Sequence, residues 1–308
     1  MKDRLVTLIG GGGFLGRYVA RELLAAGARL RVAQPRPRDA WFLRPQGGLG
    51  QIQFACVDIR RPDTLARALQ GSDAVVNLAG LLSGDFQGVH VDGARNVAEA
   101  AARAGVATMV HVSALGAGLE SASAYGRSKA EGEVAVRAAF PAATIFRPSI
   151  LFGREDQFVN RFAGLIAAAP VVPVLRGEAK FQPAYAADVA GAIVQALAEP
   201  APHAGQTYAL GGPDVMTMAQ LFRWIGGAIG RDVPFVELPD AIGALVPYLP
   251  FAPVTRDQWR MLACDNVVPP AALGFAAFGI VPTPLASVAP AWLVRFRKQG
   301  RFGRNAAA

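Results

Sequence analysis

Cysteine and histidine are scarce in this sequence. The two cysteines, Cys56 and Cys264, exclude a disulfide-stapled scaffold and a multi-cysteine zinc site. The three histidines, His90, His111 and His203, stand far apart and offer no metal-ligand spacing. Charge is also sparse, at 18% of residues against 52% hydrophobic, which excludes a disordered chain. Acid runs shortest: 23 Asp and Glu against 31 Lys and Arg leave a formal net charge of +8. Such a surplus fits an anionic ligand, an anionic membrane surface or nucleic acid. Nucleic acid is set aside, because no basic patch is interleaved with aromatic residues. Unbroken apolar runs are missing too. Pro269, Pro270, Pro282, Pro284 and Pro290 interrupt the uncharged stretch 267–294, and Pro247, Pro250 and Pro253 interrupt 241–254. Each interior proline costs a helix about 3 kcal/mol, so no transmembrane span is expected. The first ten residues lack the long apolar region of a signal peptide, and a cytoplasmic protein is expected.

What is present is a rhythm. Strand-like runs at 5–9, 30–33, 52–57, 74–78, 108–112 and 143–146 alternate with helical patterns at 14–26, 62–69, 89–104 and 124–139. Alternation of this kind predicts an α/β fold, a doubly wound Rossmann-type parallel sheet covered on both faces. The rhythm stops near residue 150. Beyond it come prolines, short helices at 158–168, 187–198 and 218–229, and extended pieces at 207–210 and 234–236. The expected organisation is a dinucleotide-binding domain over 1–150 and a smaller, irregular domain over 151–308, interleaved at a soft boundary.

The strongest local signal is Gly10-Gly11-Gly12-Gly13-Phe14-Leu15-Gly16, which follows the first strand and opens the first helix. Gly10, Gly13 and Gly16 have the GxxGxxG spacing. A pyrophosphate has to approach backbone N–H groups closely there, and the helix N-terminus adds partial positive charge. A dinucleotide site would therefore include Gly10, Gly13, Phe14, Leu15 and Gly16. An NAD-selective site ends its second strand in an acid that holds the ribose 2′-hydroxyl. Here the strand runs into Gln34-Pro35-Arg36-Pro37-Arg38. Arg36 and Arg38 suit a 2′-phosphate, so NADP(H) is expected, with NAD(H) as the alternative. Asp58, after the third strand, is placed to accept from the adenine amine. Ala79 and Gly80, in Asn77-Leu78-Ala79-Gly80, would line the cleft.

A second constellation lies downstream. Tyr125 and Lys129 are four residues apart on one helix face, and Ser113 ends the preceding strand. An ammonium beside a phenol favours phenolate and would move Tyr125 from about 10 toward neutrality. Such a tyrosine exchanges a proton with a carbonyl or alcohol while hydride moves to or from a nicotinamide. Ser113 would hold the substrate oxygen, and Lys129 would also bind ribose hydroxyls.

Together these residues resemble the extended or atypical short-chain dehydrogenase/reductase superfamily, with which Arg147-Pro148-Ser149 and Asp188-Val189-Ala190 also agree. The resemblance implies that Pro148 lies near the nicotinamide. Gly13-Phe14-Leu15-Gly16-Arg17-Tyr18-Val19, Tyr125-Gly126-Arg127-Ser128-Lys129 and Gly153-Arg154-Glu155-Asp156-Gln157-Phe158 are similar to one subgroup. So are Asp265-Asn266-Val267-Val268 and Gly279-Ile280-Val281-Pro282-Thr283. That subgroup holds the NADPH-binding accessory subunit of respiratory complex I and its bacterial relatives. One departure is His90, which stands where the superfamily has a catalytic asparagine. The resemblance implies an NADP(H)-binding accessory or assembly factor linked to complex I or quinone metabolism. The alternative is an active reductase or epimerase on a small apolar carbonyl compound, using Ser113, Tyr125 and Lys129. Complex I subunits are the implied partners. The acid-free tail with Arg295, Arg297, Lys298, Arg301 and Arg304 is the expected contact to anionic lipid, on the inner face of the cytoplasmic membrane.

Overall fold

Seven parallel strands build one sheet, in the spatial order Thr207–Leu210, Thr144–Pro148, Thr108–Val112, Ala74–Asn77, Leu5–Ile9, Arg29–Gln34 and Ile52–Cys56. They belong to a computed structural model that describes residues 1–248, 254–298 and 300. The strands are β1 (Leu5–Ile9), β2 (Arg29–Gln34), β3 (Ile52–Cys56), β4 (Ala74–Asn77), β5 (Thr108–Val112) and β6 (Thr144–Pro148). Three further short pairs hold β7 (Leu151–Phe152), β8 (Val172–Leu175), β9 (Lys180–Phe181) and β10 (Ala184–Tyr185). The seventh strand of the sheet is β11 (Thr207–Leu210), and β12 (Met216–Thr217) and β13 (Phe235–Leu238) complete the count. β1, β4 and β5 are buried at every position, as strands covered on both faces must be. This is the doubly wound α/β fold expected from the alternation.

The helices of the first half are α1 (Phe14–Ala25), α2 (Pro62–Leu69), α3 (Gly93–Arg103) and α4 (Ala124–Ala139). They are followed by α5 (Val159–Ala168), α6 (Ala186–Ala198) and α7 (Met218–Ala228). On one face of the sheet α3 packs between α2 and α4, and α1 packs on α6. Ile9, Leu65, Val75, Val97, Met109 and Val136 form part of the core under α2, α3 and α4. Two local features depart from the sequence reading. The helix expected at 89–104 begins as a π-helical turn, Gln87–Asp92, before α3. The segment after β2 forms a 3₁₀ helix, Pro37–Gln46, that helical periodicity at 3.6 residues did not reveal.

The chain divides into two compact units. The first holds Met1–Pro148, Ala186–Leu210 and Pro270–Val281; the second holds Ser149–Tyr185, Gly211–Pro269 and the rest from Pro282. In the first, β11 pairs with β6 from Thr207↔Ile145 to Leu210↔Pro148, and Asp188 sits in the first turn of α6. In the second, β7 pairs with β10, β9 with β12 and β8 with β13, around a core that includes Phe152, Ile166, Phe181, Phe222 and Leu293.

Two subgroup motifs work as clasps within the second unit. Asp156 is 2% exposed, and its carboxylate accepts from the amides of Gly153 (3.1 Å), Phe158 (2.9 Å) and Asn160 (3.2 Å). Asn160 closes the loop through Nδ2, which donates to the carbonyls of Arg154 (3.1 Å) and Asp156 (3.0 Å). Asn266 Oδ1 accepts from Ser149 Oγ (2.6 Å), and the Asn266 backbone joins Lys180 and Gln182. The basic tail is partly tied down as well. Arg297 donates through Nε (3.2 Å) and Nη2 (3.1 Å) to the Ala228 carbonyl at the end of α7, so it caps a helix rather than standing free for lipid. Arg301 and Arg304 lie outside the described residues. Among the described residues no helix is long and apolar enough to cross a membrane.

Asp156→Ala leaves three backbone amides without their acceptor, a loss of about 3 kcal/mol. Urea denaturation should show that loss, with Asp156→Asn losing less because one carbonyl oxygen remains. Wild-type stability in the alanine variant would remove Asp156 as the organiser of the loop.

Candidate functional site

Two halves of the first unit's sheet diverge at β1, which lies between β4 and β2. In open α/β sheets ligands bind outside the strand ends at this reversal. Register brings Ile9 opposite both Ala33 and Asn77, and Asn77 opposite His111, so the strand ends line up. The loop after β1 then meets the loop after β4 at close range. Gly10 has φ +75°, and a Cβ there would lie 3.3 Å from the Ala79 nitrogen. Gly13 is the N-cap of α1 and offers no side chain, while Phe14 is half-buried and Leu15 and Gly16 are buried. The Gly12 amide is taken by Gln34 Oε1 at 2.8 Å, and Gln34 Nε2 donates to the Arg36 carbonyl at 2.7 Å.

The groups expected near the adenosine end are turned to protein neighbours. Arg36 pairs with Asp39 at 3.0 Å in the open, and Arg38 lies over the Trp41 ring at 5.5 Å. The two guanidiniums do not form one fork. Asp58 is gripped by Arg60 through Nε (3.0 Å) and Nη2 (2.7 Å), and that hydrogen bonding holds its carboxyl below the usual range.

Ser113, Tyr125 and Lys129 lie in the same region, with Ala79 and Gly80 at the end of β4. The Lys129 ammonium is buried and donates to the Val112 carbonyl at 3.1 Å. A Cβ on Gly80 would come 3.3 Å from Nζ, so glycine leaves the room the ammonium uses. Burial pushes Lys129 down to about 8, against the opposing pull of Glu133 one turn on. Most of Glu133's charge is engaged by Arg147 of β6, through bonds of 2.8 and 2.6 Å. Pro148 ends β6 and its carbonyl accepts from the Leu115 amide at 2.9 Å. Ser113 is 4% exposed, its amide donates to the Phe146 carbonyl at 2.7 Å, and its hydroxyl has no hydrogen-bond partner among the described residues.

Tyr125 overturns an expectation. Its phenol is not lowered toward neutrality; burial pushes it up to about 12. The ring lies edge-on to His90 at 5.4 Å and to Phe86 at 6.0 Å. Burial disfavours the phenolate, so the stable form is the protonated one.

His90 is locked by both ring nitrogens. Nε2 accepts the Leu81 amide at 2.9 Å, so the proton is on Nδ1, which donates to Ser128 Oγ at 2.8 Å. Ser128 Oγ in turn donates to the Tyr125 carbonyl at 2.9 Å. Phe86 stacks on the imidazole at 5.2 Å. The π-helical turn drives the His90 carbonyl against α4, and a Cβ on Gly132 would collide with it. With both nitrogens committed, His90 has neither free to relay a proton.

Sequence reasoning left His111 unassigned. It is 2% exposed and its Nδ1 accepts from Asn77 Nδ2 at 3.2 Å, while Asn77 Oδ1 holds the Ala79 amide at 3.1 Å. The proton is therefore on Nε2, which has no acceptor among the described residues. Strand alternation could have found it, since His111 is two residues before Ser113 and shares its face. Burial first, then Lys129, pushes both His90 and His111 down to about 3.

Residues 6–211 match the NAD dependent epimerase/dehydratase family. The chain is 38% identical over 293 residues to NADH dehydrogenase (ubiquinone) 1 alpha subcomplex subunit 9, mitochondrial, of Mus musculus, covering 91% of this chain and 77% of that protein. It is 33% identical over 250 residues to the ceramide reductase of Caulobacter vibrioides, covering 79% and 77%. Among solved structures, the NADPH-dependent quinone oxidoreductase QOR2 of Escherichia coli, complexed with NADPH, superimposes with a TM-score of 0.74 at 22% identity, covering 94% of this chain and 99% of that one. The dTDP-glucose 4,6-dehydratase DesIV of Streptomyces venezuelae, with NAD bound, gives 0.64 at 24% identity over 76% and 85%. Likeness at these identities shows a shared fold.

The two histidines give the fold a defined acid sensitivity. Their folded pKa lies below the unfolded one, so the unfolded chain binds more protons between about 6.5 and about 3. Stability contributed by the neutral rings is full above pH 6.5 and falls as pH drops through that window. Denaturation at stepped pH should show up to two protons taken up on unfolding, and His90→Asn should remove one of them. A stability flat from pH 7 to 4 would contradict this.

Proposed function

The chain belongs to the NAD dependent epimerase/dehydratase family, and from that premise we propose that it binds NADP(H) and serves as a nucleotide-loaded accessory or assembly partner of respiratory NADH:ubiquinone oxidoreductase. The observation that carries the partner is coverage: likeness to the curated subunit runs over 91% of the chain and so into both units. A common nucleotide-binding sheet alone would not extend that far. The residues present fit the dinucleotide. Gly10 and Gly13 bring no side chain into the loop, α1 offers its N-terminus, and Gln34 stands where an acid would select NAD. Gly16 and Leu15 pack the helix start, and Phe14 borders it. Arg36, exposed in its pair with Asp39, is free to exchange that partner for a 2′-phosphate. Asp58, Ala79, Gly80 and Pro148 would border the adenosine and nicotinamide ends. Tyr125 and Lys129 would hold ribose hydroxyls.

On this reading catalysis is secondary, because His90 has no free nitrogen for a relay and the Tyr125 phenol is held up near 12. A second reading is favoured by one observation, the buried Ser113 hydroxyl with no partner. A carbonyl oxygen in reach of it would accept that hydroxyl's hydrogen bond, and the protonated Tyr125 would give the oxygen its proton. A bound nicotinamide would supply the hydride to carbon. Lys129, cationic below about 8, would favour the charge left on the phenol oxygen. An apolar carbonyl substrate agrees with the named activity of the Caulobacter vibrioides relative. Peripheral lipid contact through Arg295 and Lys298 is a further element of the proposal.

Calorimetric titration should give at least about tenfold tighter binding of NADPH than NADH, and Arg36→Ala should narrow the gap. Equal binding would sink the NADP(H) assignment. Purification of the tagged chain from membranes of its own cells should bring respiratory subunits with it. Their absence, together with NADPH turnover on an apolar ketone that Tyr125→Phe abolishes, would replace the first reading by the second.

A further inference from the structure

We propose that the open edge of β3, with the 3₁₀ helix Pro37–Gln46 beside it, is a docking groove for an extended acidic segment of a partner protein. β3 is the last strand of the seven, and among the described residues it pairs with β2 alone. None of its residues is fully buried, in contrast to β1, β4 and β5. An edge strand presents unpaired N–H and C=O groups, and natural edges are commonly blunted with charge or proline. The β3 sequence, Ile-Gln-Phe-Ala-Cys, has neither.

The neighbouring helix makes this edge a groove. Arg38, Trp41 and Arg44 recur every third residue, and at three residues per turn a 3₁₀ helix stacks them on one face. With Ile52, Gln53 and Phe54 of the strand they line an open cleft of about 700 Å³. Trp41 is 49% exposed there. Among the described residues no carboxylate lines the cleft, and Asp39, the acid of that helix, is engaged by Arg36. Two guanidiniums call for an anionic partner. The strand edge calls for a peptide backbone in extended form, which a lipid surface cannot provide. Trp41 and Phe54 call for an apolar side chain between the acids. A second copy of this chain would bring the same arginines to the same edge, and like charges face to face disfavour that pairing.

The probe is a fluorescein-labelled decapeptide of alternating Glu and Val, added to the full chain at low salt. Anisotropy should show saturable binding that weakens about tenfold in Arg44→Glu and in Trp41→Ser. Hydrogen exchange should slow at β3 amides when the peptide is added. The same peptide N-methylated at alternate residues should bind about tenfold more weakly, since strand addition needs its N–H groups. NADPH titration of both variants checks that they fold and keeps this test separate from the nucleotide reading. The proposal is overturned if the Glu-Val peptide does not bind the wild-type chain. It is equally overturned if a Lys-Val or N-methylated peptide binds as well, if β3 exchange is unaffected, or if anionic vesicles bind the groove and displace the peptide.

Discussion

Everything at the candidate site depends on two backbones passing within van der Waals contact at the sheet's reversal. Gly10 turns with φ +75°, where side chains are strained, and a Cβ there would press on the Ala79 nitrogen at 3.3 Å. This approach sets the loop after β1 beside the loop after β4. From there the chain of dependence is short. Asn77 ends β4, orders Ala79 with one amide atom and fixes His111 with the other. Gly80 makes room for the Lys129 ammonium, and Leu81 gives its amide to His90. A few residues after one strand thus set the tautomer of two histidines and the position of a lysine.

The electrostatics of the region follow from burial more than from pairing. Three basic groups, His90, His111 and Lys129, are close enough to influence one another, and a low-dielectric interior cannot carry three charges. The imidazoles remain neutral and the lysine alone keeps its proton near neutrality. Glu133 favours the charged lysine through space, but its two carboxylate oxygens accept from Arg147 at 2.8 and 2.6 Å. A phenol in these surroundings keeps its proton unless a ligand changes the local charge. That explains why the Tyr-Lys pattern, read alone, pointed the wrong way.

How much of this was legible depends on the range of the interactions. β1 through β6 and the helices between them follow local periodicity, which is strong where strands are buried on both faces. The glycine loop, Ser113, Tyr125 and Lys129 also stand out, because their chemistry needs those residue types at those spacings. What escaped needs partners remote in sequence. The π-helical turn at His90 exists because Gly132, forty-two positions later, lacks a Cβ. The 3₁₀ helix after β2 repeats every three residues and carries Pro45, so it looks like loop. The Asp156 and Asn266 motifs were recognisable as signatures, yet the three amides held by Asp156 and the Ser149 hydroxyl held by Asn266 are visible only in three dimensions. The segments after residue 185 were legible as helix and strand, while their return to the first unit was not.

That return has a consequence for biosynthesis. The chain passes between the units after residues 148, 185, 210, 269 and 281. When the ribosome has delivered β6, the nascent sheet still lacks its outer strand β11 and the helix α6 that lies on α1. Both arrive only after a long intervening stretch of the second unit has emerged. The open side of β6 and the apolar face of α1 therefore wait in solvent during translation. A stop codon near the end of the alternating region would leave both surfaces uncovered, because such a chain lacks part of its own first unit.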